Sequence, residues 1–128
     1  MSHPIVLLQG ALVAALEADA ALIGAGGVFD APPQNRPAPY VVIDRHDMRQ
    51  TDGDGTPGQE HRVMVRCWAD RPSRKAALEI AERVMAARSG LAPAGLAVTL
   101  AEHVRTETVI DTATGQARAA VLLRFLTE

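Results

Sequence analysis

The stretch Gly53-Asp54-Gly55-Thr56-Pro57-Gly58 matches the spacing of a nucleotide-binding fingerprint, G-x-G-x-x-G. That fingerprint works only when a strand precedes it and a helix follows, so that backbone N–H groups and a helix N-terminus meet the phosphates. Here a strand follows instead, and Pro57 removes one of the N–H groups a phosphate would use. Asp52 and Asp54 begin like a calcium loop, but position five is Thr56 and Val63 stands where the twelfth position needs a bidentate carboxylate, so the cage is missing. The histidines His3, His46, His61 and His103 form no H-x-x-x-H pair. Glu102 and His103 are adjacent on a strand pattern and point to opposite faces. All four histidines are expected at the solvated surface. Cys67 alternates inward and is expected to be a buried structural thiol, since no base adjoins it. Ser2, Ser73 and Ser89 lie in no nucleophile turn. The chain is read as a non-enzyme without metal or cofactor.

The composition sets the frame in which those residues must work. The chain has 128 residues, of which 48% are hydrophobic, 22% charged and only 3% aromatic. A single domain of this size buries about 67% of its unfolded surface, enough for a core without disulfides or metals. With so few aromatics, that core must be built from Ala, Val, Leu and Ile. One cysteine excludes a disulfide framework within the chain. The longest apolar stretch, around Ile5–Leu16, is broken by Gln9 and Gly10 and is too short to span a bilayer. The first residues lack the basic region of a signal peptide, so a cytoplasmic origin is expected. Net charge is −2, yet residues 1–60 hold eight acids and three bases, and residues 61–128 hold seven acids and ten bases. An acidic half and a basic half can present complementary patches to copies of the same chain, or a basic face to nucleic acid.

Periodicity places the elements. Pro4 suits a first helical turn, and Ile5, Leu8, Leu12 and Leu16 recur at helical spacing to about Asp19. The Gly24–Gly27 run ends this helical region, and Val28-Phe29-Asp30 reads as a short strand. Residues 31–38, with three prolines, form an irregular connection. Pro39–Asp44 reads as a buried strand entered through a proline. Residues 45–59 carry the weakest order, as a glycine-rich hairpin whose outer parts can extend the flanking strands. His61–Ala69 alternates, with Val63, Val65 and Cys67 on one face and Arg62, Met64, Arg66 and Trp68 on the other. Arg71–Ser89 is a helix with a stripe of Leu78, Ala81, Val84, Met85 and Arg88. Ala97–Ile110 and Ala117–Thr127 are two long strands joined near Gly115. The order α-β-β-β-α-β-β predicts an α+β fold, a mainly antiparallel sheet with two helices on one face.

The strand arginines Arg62, Arg66, Arg105, Arg118 and Arg124 share sheet faces with Met64, Trp68 and Leu122. Arg stems lying along apolar neighbours on a solvated face would produce this pattern. So would a protein–protein interface, where Arg, Trp and Met are enriched and Lys is depleted. The chain has 12 Arg and one Lys. Nucleic-acid binding ranks third, because stacking aromatics are absent.

With the elements placed, the chain resembles the tail-completion, or tail-terminator, proteins of long-tailed phages and gene transfer agents. The landmarks run from Leu7-Leu8-Gln9-Gly10-Ala11-Leu12 through Asp19-Ala20-Ala21-Leu22, Val28–Pro33 and Ala38–Ile43. They continue with His61–Trp68, the Ala76–Met85 helix and an Arg- and Leu-rich C-terminal strand. The resemblance implies a structural protein of the phage or gene-transfer-agent particle, assembled in the cytoplasm. It would form a ring, commonly of six copies, that caps the tail tube, ends its polymerisation and meets the head-side connector. DNA would at most pass through that ring, and no membrane is involved. A closed ring needs two different complementary patches per subunit, and Arg62, Arg66, Trp68, Arg118 and Arg124 are the expected ring interface. The loop at about 45–60, through Arg49, Asp52, Asp54, Thr56 and Gln59, is the expected contact with tube or connector. The alternatives are another neck component, or a small ligand-binding or enzymatic α+β domain.

Overall fold

The computed structural model describes residues 3–19, 27–29, 38–51 and 58–128. Helix α1 spans Pro4–Glu17, strand β1 Val28–Phe29, β2 Tyr40–Gln50 and β3 Gln59–Trp68. Helix α2 spans Arg74–Ala87, and β4 (Val98–Asp111) and β5 (Gln116–Thr127) follow as a hairpin. The five strands form one sheet in the order β1-β2-β3-β5-β4. Only the β1–β2 pair is parallel. This is the α+β fold that the periodicity predicts. The residues 20–26, 30–37 and 52–57 of the expected glycine run, proline connection and hairpin tip lie outside the described residues.

Alternation decides which face is buried. Val63, Val65 and Cys67 on β3 and Ala117, Ala119, Val121, Leu123 and Phe125 on β5 are fully buried and line one face. Helix α1 lays Leu8, Leu12 and Leu16 on that face, and α2 adds Ala77, Ala81 and Val84. Each set recurs at the i, i+4 spacing that gives one helical stripe, or close to it. The core holds a single phenylalanine, Phe125, so small side chains bring α2 close to the sheet. Leu78, expected in this stripe, is 41% exposed instead. It sits one position round the helix from Ala77, outside the narrow contact. The expected helix start at Arg71 also moves to Arg74, because Ser73 adopts extended backbone and accepts the Ala76 N–H at 3.1 Å.

In the stretch expected to be least ordered, residues 45–50 and 59 are strand, as an extension of the flanking strands. β2 continues to Gln50 and pairs residue by residue with β3 as far as Gln50–Gln59. The Thr51 N–H then donates to the Gly58 carbonyl at 2.9 Å, closing the described part of the hairpin. What makes this extension compatible with a buried face is a β-bulge between Ile43 and Arg45. Before it, odd residues (Val41, Ile43) face the core. After it, even residues take that side, with His46 and Met48 half-buried and Gln50 exposed, and Arg45, Asp47 and Arg49 turn to the other side. Without the extra residue Arg45, Asp47 and Arg49 would turn to the helix side of the sheet in place of His46, Met48 and Gln50.

Candidate interaction surface

The second face of the sheet carries no described helix. Its side chains line up in cross-strand rows read directly from the register. One row is Tyr40, Trp68, Arg118 and Val109. The next is Val42, Arg66, Ala120 and Glu107, then Arg45, Met64, Leu122 and Arg105, then Asp47, Arg62, Arg124 and Glu102. The last holds Arg49, Glu60, Leu126 and Leu100. Arg62, Arg66, Trp68, Arg118 and Arg124, expected to act together, therefore do share one face. They come from the two central strands, β3 and β5.

Two of these side chains anchor local clusters. The Trp68 ring lies 6.2 Å from Tyr40, centroid to centroid, and the Arg118 guanidinium sits 5.3 Å over the Trp68 ring. This is cation–π geometry, and it presets an aromatic-arginine patch at one end of the sheet. At the other end Glu60 is nearly buried and gathers three arginines. Its carboxylate accepts from Arg124 Nε at 2.7 Å and Arg49 Nε at 2.9 Å, with Arg62 Nε at 3.6 Å. The Arg124 hydrogen bond, helped by the charge of Arg49, holds the Glu60 carboxyl below the usual range. Arg124 also donates to Glu102 at 2.9 Å, and these two carboxylates raise its own pKa. Arg66 donates to Asp44 at 2.8 Å. Between the clusters, Arg45, Asp47, Arg62 and Arg105 rim a shallow trough of about 250 Å³ over Met64 and Leu122.

The loop residues divide. Arg49 and Gln59 are strand residues at the base of the hairpin, and they do not share a contact: Arg49 bonds Glu60, whereas Gln59 accepts the Thr127 hydroxyl at 2.7 Å on the core side. Asp52, Asp54 and Thr56 lie outside the described residues. Arg45, Asp47, Glu102 and Glu107 also belong to this face, which simple alternation does not reveal. The bulge in β2 hides their alternation, and a second bulge at His103–Arg105 does the same in β4.

The histidine expectation is overturned. His61 is fully buried, because its position on β3 alternates with Val63 and Val65. Its Nδ1 lies 2.9 Å from His46 Nε2, and its Nε2 lies 3.1 Å from the Thr127 hydroxyl. Since Thr127 gives its proton to Gln59, it can only accept from His61, which makes His61 Nε2 the donor and Nδ1 the acceptor. His46 Nε2 must then donate, leaving His46 Nδ1 buried and without a hydrogen-bond partner. His103 is half-buried and meets the Thr106 hydroxyl at 2.6 Å. Only His3 is exposed, and its Nδ1 caps α1 by accepting the Ile5 N–H at 3.1 Å. Cys67 is buried as expected, and burial pushes its thiol up to about 12. Among the described residues no cluster of His, Cys, Asp and Glu could hold a metal ion, and no helix is long and apolar enough to cross a membrane.

Fold and face together define a class: a small α+β protein with helices on one side of its sheet and an open, arginine-bearing surface on the other. A family model closes the identification. Residues 10–128 match the family described as Tail completion protein gp17, and the chain belongs to that family. Solved structures share the fold, two among them a gene-transfer-agent virion chain and a bacteriophage protein. A chain from the virion of a native gene transfer agent particle superposes with a TM-score of 0.83 at 23% identity, covering 99% of each chain. The gp17 protein of bacteriophage SPP1 superposes with a TM-score of 0.62 at 24% identity, covering 92% of this chain and 86% of that one. No curated protein matches.

Proposed function

We propose that this protein is a structural part of a phage or gene-transfer-agent particle, sitting at the tail–neck junction as a ring that caps the tail tube, ends its polymerisation and meets the head-side connector. The observation that carries this reading is the family match over residues 10–128. The shared fold with a chain of a gene transfer agent virion supports it. So does the open sheet face, where Arg62, Arg66, Trp68, Arg118 and Arg124 offer anchors of the kind that dominate protein interfaces. Copies of the chain, the tail tube protein and the connector are the partners, and the chemistry is recognition rather than catalysis. Arg49 and Gln59 hold the base of a hairpin whose outer residues, Asp52, Asp54 and Thr56 among them, reach the tube or connector.

Loss of the protein should leave tails of unregulated length unattached to heads, seen by electron microscopy. A ring at the tube end in complemented particles supports the capping role. A ring seated only on the connector, with tail length unchanged by deletion, assigns the protein to another neck position. A concentration-independent monomer, with and without tubes, rejects the ring.

A further inference from the structure

The sheet ends in two edges of opposite kind. On one side β4 is the last strand, 14 residues long. On the other, β1 pairs only with Val41 and Val42, so among the described residues nothing pairs with the outer side of Asp44–Gln50. A long unpaired edge is a template for another strand. Three of the five large apolar side chains exposed among the described residues, Leu100, Val104 and Val109, lie on β4.

The charges on the two edges match. On the open face β2 presents Arg45, Asp47 and Arg49, in the order plus, minus, plus. On the same face β4 presents Glu102, Arg105 and Glu107, in the order minus, plus, minus. β2 and β5 run antiparallel to β3, and β4 runs antiparallel to β5, so β4 and β2 point in opposite directions. A β4 edge placed beside the β2 edge of a second copy, with the open faces flush, is thus antiparallel. Arg45 then stands opposite Glu107 and Asp47 opposite Arg105. The bulge at His103–Arg105 carries the alternation on to bring Glu102 opposite Arg49. Directly opposed residues in an antiparallel pair have Cβ atoms about 4.5–5.5 Å apart, close enough for ion pairs. In the single chain four of these groups pair along their own strands, Arg45 with Asp47 at 2.5 Å and Arg105 with Glu107 at 3.5 Å, while Arg49 and Glu102 bond Glu60 and Arg124. Both pairs are more than half exposed, so they are worth little and can exchange partners.

We propose that the copies of this chain join edge to edge, β4 of one subunit pairing antiparallel with the outer half of β2 of the next, so that the sheet runs continuously through the assembly. The contact is heterologous, as a closed ring requires. This rests on the ring reading above and sharpens it: the contact between copies leaves the central strands for the edges. The face with Trp68 and Arg118 stays free for a protein of another kind.

The test uses the full chain bound to tail tubes. In a chain carrying both Asp47→Cys and Arg105→Cys, mild oxidation should link most subunits into a disulfide ladder, whereas either cysteine alone should give none. Cys67 is buried and should not compete. Arg45→Glu and Glu107→Arg should each cut ring occupancy of tube ends at least tenfold, and the double variant should restore it. Rings that form without cross-links, or a double variant no better than the singles, overturn the edge pairing while leaving the ring intact. Absence of any ring from the unaltered protein overturns both.

Discussion

The imidazoles of His46 and His61 meet nitrogen to nitrogen at 2.9 Å, on the core side of two adjacent strands near the base of the β2–β3 hairpin. Only one proton can lie between them, so the contact is stable only while at least one ring is neutral. Burial and the neighbouring His61 lower the pKa of His46 to about 4, and burial also lowers that of His61.

The first prediction concerns pH. In the unfolded chain both histidines take up protons near 6.5, whereas in the folded protein they resist until lower pH. The unfolded state therefore binds more protons in this window, and stability must fall with pH. The histidine contribution is fully present above 6.5 and is lost as pH drops towards 4. The melting temperature should decline across that range, and His46→Asn should flatten the decline. An unchanged slope in the variant would show that the pair is not its source.

Glu60 acts in the same direction but later. Its carboxyl is lowered from 4.5, so its contribution is present above that value and disappears as pH falls through the lower folded value. Glu60→Gln should lower the melting temperature at pH 7 and have a shrinking effect on further acidification below pH 4.5. Thermal melts at pH 7, 5 and 3 separate this behaviour from that of the histidines.

Phe125 is fully buried, and it is the only aromatic side chain in the central core. Phe125→Ala should cost about 3–5 kcal/mol, because a ring-sized cavity cannot close among short aliphatic neighbours. That is a large share of the ~5–15 kcal/mol typical of a whole domain. Urea titration followed by far-ultraviolet circular dichroism gives the value directly.

Trp68 is the chain's single tryptophan, and it lies on the open face beneath Arg118. Its fluorescence therefore reports on whatever covers that face. Emission should shift to shorter wavelength when the protein docks to tail tubes or connectors, and Arg118→Gln should weaken docking while leaving the fold intact. No shift on docking would place the contact elsewhere.

Shortening the hairpin tip tests the division between fold and function. Thr51 and Gly58 already bridge through a backbone hydrogen bond, so replacing residues 52–57 by Asn-Gly should leave melting within a few degrees of the parent. Joining of tails to heads should be lost. Normal particles from this variant would make the tip dispensable.

How far each of these features could be read from the chain depends on the range of the interaction behind it. Alternation on β3 and β5 is local, and Val63, Val65, Cys67 and the Ala119–Phe125 face are legible because every second residue repeats the same choice. The Leu8, Leu12 and Leu16 stripe is legible for the same reason. The face holding Arg62, Arg66, Trp68, Arg118 and Arg124 follows from that alternation. The register shifts, one in β2 and two in β4, are not legible, since one extra residue leaves no mark in composition, yet each reverses the side on which the following residues stand. The faces of Arg45, His46, Asp47 and Arg49 therefore cannot be read from alternation, whereas the burial of His61 is written in its alternation with Val63 and Val65 and is hidden only by the usual polarity of histidine.

The Gly53–Gly58 motif with which the chain first suggests chemistry reads as no phosphate loop by its own context: a strand follows it where phosphate binding needs a helix. That much the residues determined alone, together with the α+β order and the core face. Only the tertiary structure decided that Glu60 would gather three arginines, that two histidines would be buried against each other, and that charges of opposite order would lie on the two sheet edges. Each of those depends on register between strands distant in sequence, as Glu60 and Arg124, 64 residues apart, are. Register is set by how all five strands share one core, which no local pattern encodes.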